Sequence, residues 1–164
     1  MTIQIFTTGG TIDKAYFDAL SEYQFTQTIV PKLLEVGRVT LAHKVETLFQ
    51  KDSLELTDND RARIRAAVTA SDSRGIVITH GTDTMTETAA ALRGIEGKTI
   101  VLVGALSPAR FAESDAPFNL GMALATAQIA PSGVYITMNG TVFDAFAVTK
   151  DRANGRFVSL EPSA

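Results

Sequence analysis

Two short runs, Ile76-Val77-Ile78 and Ile100-Val101-Leu102-Val103, constrain what this chain can fold into more than any other feature. Both are continuously apolar and rich in β-branched residues, whereas a strand wetted on one face alternates apolar with polar. A strand of this kind is covered on both faces, which calls for a parallel sheet with helices above and below it. The runs extend to 75–79 and 99–103, and similar ones at 3–7, 39–49 and 133–138 complete the set of predicted strands.

Helix signals fall between these runs. The stretch 28–36 has Pro31 in its first turn and Gly37 as a stop. Another starts at Thr57, with Asp60 three residues on and Ile64, Ala67 and Val68 on one face. Thr84 and Glu87 have capping-box spacing and are followed by Met85, Ala89 and Leu92 at helical intervals. Pro117 suits a first helical position, and 118–130 continues with Gly121 as its one breaker. Strands alternating with helices predict an α/β fold: a mostly parallel sheet with helices on both faces, a flavodoxin/Rossmann-like three-layer sandwich. Ligands in such sheets sit beyond the carboxyl ends of the strands.

The 164 residues carry no repeat or linker, so a single domain over 1–164 is expected. The absence of cysteine removes disulfides, thiol nucleophiles, cysteine-ligated zinc and iron–sulfur clusters, and two histidines, His43 and His80, are too few for a metal cluster. A formal charge of −3 argues against nucleic acid as a partner. The start of the chain lacks a basic, then apolar, leader, and no run approaches the roughly 18 apolar residues of a membrane span, so a cytoplasmic protein is expected.

Polar residues cluster where the predicted strands end. The first run closes in Thr7-Thr8-Gly9-Gly10-Thr11-Ile12-Asp13, where paired glycines permit a sharp turn and close approach to a ligand, leaving Thr11 at the rim. Read alone, the segment is equally a plain Gly-Gly turn or a phosphate cradle. The third run closes in Thr79-His80-Gly81-Thr82-Asp83-Thr84, in which His80 reads as an orienting hydrogen-bond group and Asp83 could simply favour the helix dipole. Asp52-Ser53 and Lys150 follow other strands. The backbone N–H groups of Gly9-Gly10 and Gly81-Thr82 stand at the sheet's edge, a place that suits an oxyanion hole.

Taken together, TTGGTID (7–13), VITHGTDTMTETA (77–89), VLVGALSP (101–108), SDAPFNL (114–120) and MNGTVFDAFAVTK (138–150) resemble the N-terminal domain of the bacterial-type L-asparaginase family, the threonine amidohydrolases. The resemblance implies hydrolysis of L-asparagine, with L-glutamine a weaker substrate, to L-aspartate and ammonia through a threonine-linked acyl-enzyme, with no cofactor or metal. It implies Thr11 as nucleophile and Thr82, Asp83 and Lys150 as a facing triad, Lys150 serving as an electrostatic or proton-relay group. Gly10, Asp52, Ser53, Gly81, Thr82 and Asp83 would bind substrate, Ser53 at its α-carboxylate and Asp83 at its α-amino group. Tyr16, with Tyr23 as the other candidate, would partner the nucleophile from a lid over 13–24. The chain is similar to short forms without the second domain of longer members, and a homodimer or homotetramer is expected to complete the pocket. The competing readings are an amidase for another small amide and a catalytically silent domain that binds an amino acid or phosphate.

Overall fold

The computed structural model describes residues 1–17, 22–25 and 27–160; for residues 17 and 22–25 it describes the backbone alone. In chain order the elements are β1 (Ile3–Gly9), a 3-10 turn (Thr11–Asp13), β2 (Lys14–Phe17), β3 (Glu22–Phe25), α1 (Val30–Val36), β4 (His43–Lys51), a second 3-10 turn (Ser53–Glu55) and α2 (Asp58–Ala70). There follow β5 (Gly75–Thr79), α3 (Met85–Ala91), β6 (Thr99–Val103), α4 (Ala116–Ile129), β7 (Gly133–Met138), β8 (Thr141–Asp144), β9 (Val148–Asp151) and β10 (Arg156–Ser159).

The main sheet runs β4-β1-β5-β6-β7-β8, parallel except for β8, which pairs antiparallel with β7. Its parallel strands follow the flavodoxin-like order, with a switch point beside β1. Register explains the unbroken apolar runs. Ile76, Ile78, Ile100 and Leu102 join Phe6, Val134 and Ile136 on one face, packed on Ile64 and Val68 of α2 and Met85 and Ala89 of α3. The intervening Val77, Val101 and Val103 join Ile3 and Ile5 on the other face, against Val30 and Leu34 of α1 and Leu120, Ala123 and Leu124 of α4. Ile76, Val77 and Ile78 are all 0% exposed, so every residue of that run reaches a core; each such burial contributes about 1.5–3 kcal/mol. Among the described residues no helix is long and apolar enough to cross a membrane.

The helix ends show which sequence signals acted as expected. Thr57 and Asp60 form a full capping box at the start of α2. The Thr84–Glu87 box does not form: the Thr84 hydroxyl donates instead to the Ser53 carbonyl at 2.7 Å, and Glu87 pairs with Arg61 at 2.9 Å. A tertiary partner outcompetes the local one. Gly37 does follow α1, but its φ is −70°, and the left-handed turn falls on Arg38 at φ 50°.

Strands β2, β3, β8, β9 and β10 lie outside the predicted set. β8 follows β7 through Asn139 and Gly140, both at positive φ, a tight hairpin turn. β9 and β10 form a separate antiparallel ladder, with Lys150 opposite Phe157. The expected lid segment is a two-stranded ladder of β2 and β3, in which Tyr16 is opposite Tyr23; residues 18–21 and the Tyr23 side chain lie outside the described residues.

Candidate active site

At the switch point the loops after β1, β4 and β5 meet through bare backbone. A Cβ on Gly9, which has φ +99°, would lie 2.6 Å from the backbone N and O of Lys51 at the end of β4. One on Gly10, at φ +81°, would lie 2.4 Å from the Gly81 N, and one on Gly81 would meet Ser53 Cβ and Oγ at 2.6 Å. No side chain larger than hydrogen fits these approaches. Thr11 directly follows Gly10 and Thr82 directly follows Gly81, so the contact between the glycines carries both threonines to one rim. Gly10 N–H also donates to the Lys51 carbonyl at 3.0 Å.

The group on the β5 side is bonded through a lysine. Lys150 Nζ, on β9, donates to Thr82 Oγ1 and to Asp83 Oδ1, both at 2.8 Å. The lysine side chain is 16% exposed and the Asp83 side chain 33%. With Lys150 donating to it, the Thr82 hydroxyl keeps its own proton for a further acceptor. Arg152, on the same hairpin as Lys150, donates to the Asp83 carbonyl at 3.4 Å.

Thr11 stands apart from that group: half-buried, in the turn Thr11–Asp13, its hydroxyl has no hydrogen-bond partner among the described residues. Ser53 is buried, and its hydroxyl likewise has none. Beside it, Asp52 accepts from Lys14 Nζ at 2.6 Å and from Leu54 N–H at 3.1 Å. Burial pushes the Asp52 carboxyl up, but those two bonds and the charges of Lys14 and Lys150 hold it below the usual carboxylate range. Tyr16, in β2, is half-exposed.

His80 lies beneath this rim, fully buried. Its Nδ1 is 2.6 Å from the Gly81 carbonyl and its Nε2 2.7 Å from the Thr88 hydroxyl. A carbonyl can only accept, so Nδ1 carries the proton and Nε2 receives the Thr88 hydroxyl. Burial, which the Gly81 bond only partly offsets, brings the imidazole pKa down to about 4, with the Arg61 charge adding to the fall. The ring is neutral and fixes the Gly81 turn to α3.

Four contributors escaped sequence reasoning. Lys14 pairs with Asp52, Arg152 reaches Asp83, and Asp115 holds the loop after β6 by accepting from the Leu106 and Ser107 N–H groups at 2.9 and 3.0 Å. Asn119, buried on α4, donates to Asp115 at 2.8 Å and to the Gly104 carbonyl at 3.0 Å. The motifs 101–108 and 114–120 thus meet, and their carboxylate–amide spacing is a signal that could have located the contact.

Comparison with known proteins follows the same lines. The family described as Asparaginase, N-terminal matches residues 2–158. L-asparaginase 2 of Escherichia coli is 35% identical over 164 residues, covering 90% of this chain and 46% of that protein. One of the subunits of the glutamyl-tRNA(Gln) amidotransferase from Saccharolobus islandicus is 34% identical over 157 residues, covering 89% of this chain and 35% of that protein. Among solved structures, the thermostable L-asparaginase from Thermococcus kodakarensis superposes with a TM-score of 0.84 at 27% identity, over 97% of this chain and 51% of that one. The chain spans about half the length of the curated L-asparaginase it matches.

Proposed function

This chain belongs to the asparaginase family, and on that premise we propose that it is the catalytic domain of an amidohydrolase that converts L-asparagine to L-aspartate and ammonia. Thr11 Oγ attacks the side-chain carboxamide carbon, the carbon–nitrogen bond breaks, and the nitrogen leaves as ammonia with the proton that Thr11 gave up. Water then cleaves the β-aspartyl ester and returns a proton to Thr11. Tyr16 takes the first proton, aided by the Lys150 charge. The Gly10 N–H is engaged with the Lys51 carbonyl, so backbone N–H groups of the Gly81-Thr82 turn stabilise the oxyanion, a contribution of about 3 kcal/mol for each such donor.

The observation that carries this reading is the Lys150 ammonium bonded to both Thr82 and Asp83, one backbone contact away from a half-buried threonine whose hydroxyl is uncommitted. A domain that only binds a ligand has no use for that pairing. Ser53, packed against Gly81, receives the α-carboxylate and Asp83 the α-amino group, with Asp52 beside Ser53 at the amino-acid end of the substrate. Gly10, Gly81 and Thr82 line the reacting end. L-glutamine, one carbon longer, is the weaker substrate. We propose one catalytic domain over residues 1–164 that works as a homodimer or homotetramer, a second copy completing the pocket.

Ammonia release from L-asparagine by the purified protein and by Thr11→Ala tests the reading. The expected result is turnover by the parent and almost none by the variant. Equal release from both would overturn the assignment of the nucleophile, and release from neither would favour the silent binding domain.

A further inference from the structure

We infer that Asp13 is a positioning residue that holds the Thr11 turn in place from behind, through the start of α1. The inference rests on the reading of Thr11 as nucleophile. That turn is a single 3-10 turn preceded by two glycines at positive φ, the softest lead-in a chain can have. Inside it the bonds are backbone only: Asp13 N–H donates to the Gly10 carbonyl at 3.1 Å, and Lys14 N–H to the Thr11 carbonyl. Its orientation must therefore come from outside.

Three attachments supply it. Gly10 rests on Gly81 in front. Ile12 is buried in a small apolar cluster with Ala105 and Ala116, and its carbonyl accepts from Ala109 N–H at 3.2 Å. Asp13 gives the turn its side-chain anchor: Oδ1 accepts from both the Thr28 hydroxyl and the Ile29 N–H, each at 3.0 Å.

The form of this anchor is costly. Asp13 is 0% exposed, and its second oxygen, Oδ2, is buried without a hydrogen-bond partner among the described residues. An unpaired buried carboxyl oxygen is desolvated without compensation, and a neutral side chain could accept the same two bonds. Such a cost two residues from a reacting hydroxyl is the kind of local rule-breaking that functional sites carry. Arg110 lies near enough for its charge to act on Asp13, and it donates to the Gln27 carbonyl at 3.0 Å, next to the residues that Asp13 grips.

The test compares Asp13→Ala, Asp13→Asn and Thr28→Val by steady-state kinetics on L-asparagine, with hydrogen exchange of the Asp13 and Lys14 amides as a readout independent of turnover. Asp13→Ala is expected to lower kcat by about a hundredfold with KM near the parent value, the size of effect a misplacement of about 1 Å produces. Asp13→Asn, which keeps an acceptor oxygen, is expected to restore most of kcat; Thr28→Val, which removes one donor to Asp13 together with the long bond from Val30 N–H at 3.4 Å and changes no residue of the turn, falls between. Both amides should exchange faster in Asp13→Ala. Unchanged kcat and exchange in Asp13→Ala and Thr28→Val would overturn the inference, as would a loss confined to KM. Should Asp13→Ala not fold, Thr28→Val decides the question in the same way. If the parent does not turn over, or Thr11→Ala is as active as the parent, the functional reading has failed, and the exchange rates still decide whether Asp13 holds the turn.

Discussion

Acidification tests the environment of His80 directly. The imidazole is wholly buried, and its folded pKa of about 4 lies below the ordinary value of 6.5, mainly through burial. Between those values the unfolded chain takes up a proton that the folded chain refuses. Stability is therefore full above about pH 6.5 and falls as the pH drops towards 4. Taken over the whole window, the displacement corresponds to about 3 kcal/mol, of which about 2 kcal/mol is lost between pH 7 and pH 5. The assay is urea unfolding at both pH values, for the parent and for His80→Asn. The asparagine amide can donate to the Gly81 carbonyl in place of Nδ1 but does not titrate. Asp13, whose carboxyl burial pushes up, contributes with the opposite sign at the acid end, equally in both proteins. The parent should lose about 2 kcal/mol more than His80→Asn across the interval. Parallel losses would refute the claim that the ring is held neutral by burial.

The glycine contact and the helix cap yield further expectations. Gly10→Ala should destabilise the fold by about 1–3 kcal/mol from its positive φ alone, and, because the new methyl would meet the Gly81 backbone at 2.4 Å, it should also abolish turnover; a folded, fully active variant would show that the two loops need not touch. Thr57→Ala removes the side-chain half of the α2 capping box and should cost about 1 kcal/mol, read from the urea midpoint, with activity unchanged because α2 contributes no group to the rim.

The strands legible in the sequence were those whose neighbours lie on both faces. The runs 75–79, 99–103 and 133–138 coincide with β5, β6 and β7, because full burial demands an unbroken apolar stretch that ends where cover ends. The run 39–49 was placed too early: β4 is the edge strand of the sheet, His43–Lys51, and its mixed polar and apolar residues blur its start. β8, β9 and β10 were missed although Asn139-Gly140 and Asn154-Gly155 are hairpin signals, since short ladders need little apolar sequence of their own. For the candidate site, each of Gly10, Thr11, Ser53, Gly81, Thr82 and Asp83 stands in a loop after a strand, as the α/β rule requires. What could not be read was pairing across loops. Nothing local in the sequence tells that Lys14 will meet Asp52 or that Thr84 will prefer Ser53 to its own helix. Those choices are made by tertiary neighbours far away along the chain.

Lys150 rides on a ladder that shares no strand with the main sheet. Its opposite number, Phe157, is buried and donates its N–H to Asn139 Oδ1 at 2.8 Å, while Leu160 N–H reaches back to the Ala147 carbonyl. Tension applied near residue 160 would thus be felt by the ammonium before it reached either threonine. For immobilisation on a support, attachment through Met1, at the far end of β1 from Thr11, leaves that ammonium unloaded.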